Sequence, residues 1–197
     1  RVVRWAAAQG LAGLECLAGV PGLVGGAVVM NAGGRDGCIG ERVAAVRCID
    51  AVGRVTTLPG RGVSWAYRSS GLRGVIVLGV EMRLRRASPA RVAARTREAL
   101  ERKRAGQPLA AWSAGCVFRN PPGDAAGRLI DAAGLKGTRC GDADVSSAHA
   151  NFIINRGRAT AADVRALIER VRRKVRARFG RDLELEVHCW PDTAGEV

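Results

Sequence analysis

The chain has 197 residues, 47% of them hydrophobic and 25% charged, the composition of a folded protein of one or two domains rather than a disordered one. No apolar run reaches the ~18 to 20 residues of a membrane-spanning helix, and Arg1–Gly10 lacks the layout of a secretory signal. The expectation is a cytoplasmic protein with no membrane insertion. The formal net charge of +14 raises nucleic acid as a partner, yet 29 of the 32 basic residues are Arg, a bias that GC-rich coding also produces. Those residues are scattered, with their densest run at Arg165–Arg178, and the aromatic residues are not interleaved with them for base stacking. No nucleic-acid partner is expected, and the positive field suits anionic small substrates such as nucleotide diphosphates.

The opening residues read as a helix through Val2, Val3, Trp5, Ala6 and Leu11, with no N-cap before it. A glycine-rich stretch follows from Gly19 to Gly34. Its clustered glycines let backbone N–H groups converge on a phosphate, or else form an irregular turn; spacing alone leaves both open. It lacks the G-x-G-x-x-G spacing and preceding strand of a Rossmann domain. Val43–Asp50 and Arg54–Leu58 read as a hairpin about Gly53, and Val75–Leu84 as a third strand. Ser88-Pro89 opens a charged helix running to about Arg104, a candidate connector between domains. A short helix near Asp124–Ala133 and a strand at Phe152–Asn155 come next. Thr160 with Asp163 resembles a capping box for a helix with an apolar stripe of Val164, Leu167, Ile168, Val171 and Val175, ended by Gly180. Leu183, Leu185 and Val187 alternate with charged residues as a closing strand. Both halves therefore read as α+β units.

Six cysteines sit far apart with no Cys-x-x-Cys, and only His149 and His188 accompany them, so no metal site is expected and the thiols read as free. Cys116, in Ser113-Ala-Gly-Cys-Val-Phe-Arg-Asn-Pro121, has small residues before it and a positive one after it, which describes an accessible thiol. Glu186 shares a face with Glu184, and Arg68 in Tyr67-Arg-Ser-Ser70 has the charge to pair a carboxylate. Taken singly, each is equally an ordinary structural residue.

The segments Gly19-Val-Pro-Gly-Leu-Val-Gly-Gly-Ala-Val-Val-Met-Asn-Ala-Gly33, Tyr67-Arg-Ser-Ser70 and Ser113–Pro121 occur in that order. They are followed by Leu129–Gly137, Val145–Asn155 and Leu183–Val187. This series closely resembles the UDP-N-acetylenolpyruvoylglucosamine reductase family (MurB, UDP-N-acetylmuramate dehydrogenase) over nearly the whole chain. The resemblance implies the later half of a PCMH/vanillyl-alcohol-oxidase-like FAD-binding domain over residues 1–86. A connecting helix would follow at 87–106 and an α+β substrate domain at 107–197. The implied activity belongs to peptidoglycan synthesis: NADPH reduces FAD, and hydride passes to C3 of UDP-N-acetylglucosamine enolpyruvate, giving UDP-N-acetylmuramate. Arg68 and Glu186 would stabilise the enol or enolate left behind, and Cys116 would protonate its C2. FAD would lie on Gly19, Pro21, Gly22, Gly25, Gly26, Ala27, Asn31 and Gly33, and substrate near Tyr67, Arg119, Asn120 and His149.

Three departures from the family pattern matter. Cys116 stands where the family usually has serine; its thiol is the stronger acid, with an ordinary pKa of about 8.5, but a thiolate beside Arg68 and Arg119 would have no proton to give. The family's N-terminal flavin-binding segment has no counterpart before the glycine stretch, so part of the cofactor cradle is expected to be missing. Tyr67 is the chain's one tyrosine, which excludes the tyrosine lid of the longer subtype and implies the shorter one. A second reading is a catalytically inactive remnant that binds a UDP-sugar without flavin. A third, a basic nucleic-acid binder, would show affinity falling steeply with salt.

Overall fold

The computed structural model describes residues 1–189; the remainder of the expected substrate domain, 190–197, lies outside the described residues. The chain divides into two compact units, Arg1–Ala105 and Gly106–Val197.

In the first unit, α1 (Val2–Ala8) leads to a two-residue strand β1 (Leu11–Ala12). Only Ala6 and Ala7 of α1 are buried, and Trp5, expected on its inner stripe, is 58% exposed. The glycine stretch contains a six-residue helix, α2 (Val24–Val29), and a hairpin of β2 (Gly33–Gly34) with β3 (Gly37–Cys38). Composition concealed α2, since Gly25 and Gly26 weaken a helix. It forms because Val28 is fully buried and Val24, Ala27 and Val29 pack on the same core, against the strand Ile76–Met82. That strand, β6, flanks β4 (Val43–Ile49), which pairs antiparallel with β5 (Val55–Pro59) on its other side. Val46 and Cys48 of β4 point into the core with Leu14, Ile39 and Val28. The short strand β7 (Arg85–Arg86) pairs with β1.

The long helix α3 (Pro89–Gly106) begins as the Ser-Pro signal predicts, with the Val92 N–H donating to the Ser88 carbonyl. Val92 and Ala99 are its buried residues, and Val92 joins Ala7 and Ala12 in a small satellite core. Through residue 105 it groups with the first unit.

The second unit is a four-stranded antiparallel sheet with two helices. The strand order is β8 (Trp112–Cys116), β11 (Phe152–Asn155), β10 (Ala143–Val145), β9 (Arg139–Cys140). Between β8 and β9 lies α4 (Ala126–Ala132), and α5 (Ala161–Phe179) follows β11. The expected stripe of α5 is the buried one: Leu167, Ile168, Val171 and Val175 are buried, and Val164 packs beside them. They meet Leu129 and Ile130 of α4 and the Val145 and Ile153 face of the sheet. The Thr160 hydroxyl accepts from the Asp163 N–H while the Asp163 carboxylate takes the Thr160 N–H, and Gly180 closes the helix in the left-handed region.

The closing strand expected at Leu183–Val187 is corrected. Its alternation does bury Leu183, but pairing is a single bridge between Leu185 and Phe118. The N–H groups of both Glu186 and Val187 aim at one acceptor, the Val117 carbonyl, so no regular ladder continues.

One side chain ties this unit's strands together where the sequence gives little warning. Asn151, 2% exposed, accepts the Phe118 N–H at 3.0 Å and donates to the Phe118 carbonyl at 2.8 Å. Its own carbonyl takes the Val117 N–H. Truncation strands two buried backbone groups, so Asn151→Ala is expected to destabilise the second unit by about 2–4 kcal/mol. Urea denaturation of the two proteins checks this, and a loss below about 0.5 kcal/mol would contradict the assignment.

Candidate functional site

Each unit assembles its own share of the candidate residues. In the first, Gly19 and Gly22 take positive φ values of 75° and 101°, which bend the chain into α2. A Cβ on Gly22 or Gly26 would meet nothing within 4 Å, whereas one on Gly25 would touch Val77. Gly33 is different: a Cβ there would fall 2.4 Å from the Gly37 carbonyl oxygen, so this glycine serves the β2–β3 hairpin. Pro21 is exposed, and Ala27 packs on the core. Beside Val24 and Gly25 lies an apolar cleft of about 530 Å³, walled by Val2 and Trp5 of α1 and by Val77 and Val80 of β6.

Asn31 ends the segment in the left-handed region, φ 43°, a conformation asparagine tolerates. Its buried amide donates to the Ala66 carbonyl at 2.9 Å and accepts the Gly40 N–H at 3.0 Å. Ala66 and Ser69 exchange backbone bonds around a tight turn, and the Ser70 hydroxyl donates to the Val29 carbonyl at 2.8 Å. Arg68 sits at the tip of this turn with φ 54°, a strained value for a residue with a long side chain. Its guanidinium lies 5.0 Å from the centre of the exposed Tyr67 ring. The two bonds from Asn31 and Ser70 thus fix the Arg68 turn to the end of the glycine segment. Sequence reading quoted Ser70 within its motif and gave it no role.

In the second unit, Gly115 (φ 87°) makes a β-bulge: Phe152 pairs with Cys116 and Ile154 with Ser113, so β8 carries one extra residue. The bulge sets half-buried Cys116 on the Phe152 side of the sheet, away from the Val145 and Ile153 face that packs under α5. The small residues before the thiol, read as a sign of access, are what permits that bulge. Glu186 is held by its backbone to the residue that follows β8, its N–H donating to the Val117 carbonyl at 2.8 Å. Cys116 and Glu186 are therefore neighbours along one backbone contact. Arg119 pairs with the Glu184 carboxylate at 2.8 Å, and its backbone N–H donates to the Glu184 carbonyl. Asn120 accepts the Ala126 N–H at 3.0 Å, so its side-chain oxygen caps the start of α4.

His149 is half-buried, edge-on to Phe152 with ring centres 5.0 Å apart, and its Nδ1 accepts the Asn151 N–H. Burial pushes its imidazole below its ordinary pKa, and Lys136 adds to the effect. Among the described residues no group of His, Cys, Asp and Glu has the makings of a metal site, and no helix is long and apolar enough to cross a membrane.

Comparison with known proteins gives these features a class. Residues 1–59 match the model of a FAD binding domain, and residues 107–190 that of the UDP-N-acetylenolpyruvoylglucosamine reductase C-terminal domain. The chain is 50% identical over 186 residues to the UDP-N-acetylenolpyruvoylglucosamine reductase of Moorella thermoacetica, covering 94% of this chain and 62% of that protein. It is 49% identical over 192 residues to reductase 2 of Symbiobacterium thermophilum, again covering 62% of the relative. The crystal structure of the UDP-N-acetylenolpyruvylglucosamine reductase from Thermus caldophilus superimposes with a TM-score of 0.86 at 44% identity, over 96% of this chain and 68% of that one. Fold and matches together define an α+β protein that joins part of a FAD binding domain to a reductase-type C-terminal domain. The chain belongs to the UDP-N-acetylenolpyruvoylglucosamine reductase family. It spans a little over 60% of the length of the curated relatives named here.

The glycine segment fits FAD. Gly22 and Gly26 border open space that a side chain would occupy, so the backbone there can be approached closely by a ligand.

His149 also gives a pH prediction. Its folded pKa lies below the unfolded one, so the unfolded chain takes up the proton first and stability is lost as pH falls through the ordinary imidazole range. Melting temperatures measured between pH 7.5 and 5 are expected to fall less for His149→Gln than for the unaltered chain. Identical slopes would contradict the buried, neutral state.

Proposed function

We propose that this chain supplies the catalytic part of an NADPH-driven reductase that converts UDP-N-acetylglucosamine enolpyruvate to UDP-N-acetylmuramate in the cytoplasm, for cell-wall peptidoglycan. The observation that carries the reading is that one chain holds, each within its own unit, an open glycine cradle and a bulge-presented thiol close in sequence to the backbone that anchors a glutamate. FAD, once reduced by NADPH, would supply the hydride that reaches C3 of the enolpyruvyl group. Gly19, Gly22, Gly25, Gly26 and Ala27 would hold the cofactor, with Pro21 shaping the approach, while Asn31 and Gly33 fix the backbone that ends the cradle.

The remaining chemistry falls to this chain's side chains. Addition at C3 places negative charge on the substrate carboxyl group, and the Arg68 guanidinium would stabilise it. The strained, twice-anchored turn supports this: a preorganised cation need not reorient as charge develops. Cys116 would donate its thiol proton to C2 and regain one from water, and Glu186 would help stabilise the intermediate. Tyr67, Arg119 and neutral His149 would contact the UDP-sugar. Asn120, engaged at the start of α4, would act through the helix it caps. Because the longer relatives carry sequence beyond the shared region, the apolar cleft beside Val24 is read as the place where a further flavin-binding segment meets this one.

The test is oxidation of NADPH dependent on UDP-N-acetylglucosamine enolpyruvate, run with FAD across pH 6–10. Turnover should fall on the alkaline side as the thiol loses its proton, and Cys116→Ser should remove that limb because an alcohol does not ionise there. Superimposable profiles for the two proteins would contradict the role of Cys116. A UDP-sugar that binds with no flavin-dependent turnover would favour the remnant reading instead.

A further inference from the structure

Three lysines stand among 32 basic residues, and one of them, Lys103, reaches across the first unit. It lies in the last turn of α3, half-buried, and its Nζ donates to two backbone carbonyls some 85 residues earlier: Cys16 at 2.8 Å and Ala18 at 2.7 Å. Ala18 immediately precedes Gly19, where φ turns positive and the glycine segment begins. The short turn Glu15–Leu17 before it packs against the β2–β3 hairpin at the segment's other end. The adjacent Arg102 reaches that hairpin's loop, pairing with Asp36 at 2.5 Å.

We infer that Lys103 is a positioning residue for the cofactor cradle: its ammonium fixes the backbone from which the glycine segment departs, and so sets the affinity of that segment for FAD. The inference rests on the reading of residues 19–33 as the flavin cradle. A compact ammonium suits the task because three tetrahedral donors converge on two carbonyls, where the planar fork of arginine spreads them. Charge-assisted bonds in a half-buried place are stronger than those on the surface, which separates Lys103 from Arg102. Burial lowers the pKa of the Lys103 ammonium, so the two carbonyls offset part of what desolvation costs it. The Cys16 and Ala18 carbonyls gain a partner from outside their own segment, and a segment rich in glycine has few side chains of its own to restrain it.

The experiment compares Lys103→Met, Lys103→Arg and Arg102→Ala with the unaltered chain. FAD affinity is read from visible absorbance, and hydrogen exchange is followed on the flavin-free protein. Lys103→Met is expected to weaken FAD binding about tenfold or more, with an altered flavin band shape. Exchange should quicken over residues 16–26 while β4, β5 and β6 keep their protection. Lys103→Arg should recover part of both effects, and Arg102→Ala should change neither by more than about twofold. Should Lys103→Met fail to fold, the intermediate loss in Lys103→Arg carries the test. Unchanged exchange over 16–26, a rise spread evenly across the first unit, or equal FAD affinity in Lys103→Met would each overturn the inference. An unaltered chain that takes up no FAD contradicts the flavin reading and the affinity claim built on it, while the exchange data still decide whether Lys103 holds the segment.

Discussion

A single buried amide governs the geometry of the first unit. Asn31 must satisfy both ends of its side chain away from water, and it does so by taking the Gly40 N–H and giving its own N–H to the Ala66 carbonyl. An unmet amide in that position costs on the order of 1–3 kcal/mol, which is a large share of a small unit's stability. Three short segments are thereby fixed relative to one another: the end of the glycine segment, the 3-10 turn Ile39–Arg42 and the turn that carries Arg68. Gly40 completes the arrangement, because a Cβ there would fall 2.6 Å from the Trp65 ring and 2.8 Å from the Asn31 oxygen. The strain at Arg68 persists because its neighbours on both sides are held.

The second unit solves a parallel problem with a second asparagine. Asn151 binds both backbone groups of Phe118, the Gly115 bulge decides which face Cys116 occupies, and the Val117 carbonyl gathers the backbone of Glu186. In both units, then, the residues proposed for chemistry sit on backbone held by hydrogen bonds, several of them from buried polar side chains, while the helices supply the apolar support beneath. Within each unit, the backbone that carries a proposed residue is fixed before any ligand arrives, which is the condition for preorganised charge stabilisation.

Regular elements were legible in the sequence for physical reasons that can be named. The α5 stripe repeats with helical period, Thr160 and Gly180 bound it, and Ser88-Pro89 opens α3 as such a pair should. What was not legible depends on contacts between distant residues. Nothing local says that Val24–Val29 is a helix, since its stability comes from Val28 meeting the sheet. Leu183–Val187 has the alternation of a strand, but two of its N–H groups compete for one carbonyl. Periodicity could not reveal that Gly22 faces open space while Gly33 is enclosed by its hairpin partner, though both read alike as loop glycines. Spacing likewise gave no role to Arg68, Cys116 and Glu186; the roles proposed for them come from family resemblance, and the bulge and the strained turn describe how the backbone at Cys116 and Arg68 is set.

The central claim is that Asn31 makes one unit of the glycine segment and the Arg68 turn, and that this unit holds the flavin. The most direct test is the visible spectrum of the chain after incubation with FAD and desalting, for the unaltered protein and for Asn31→Ala, with far-ultraviolet circular dichroism confirming that both are folded. The account predicts a retained flavin band in the unaltered chain and its loss in the folded variant. Equal retention by the two proteins, or a folded unaltered chain that stays colourless, would contradict it.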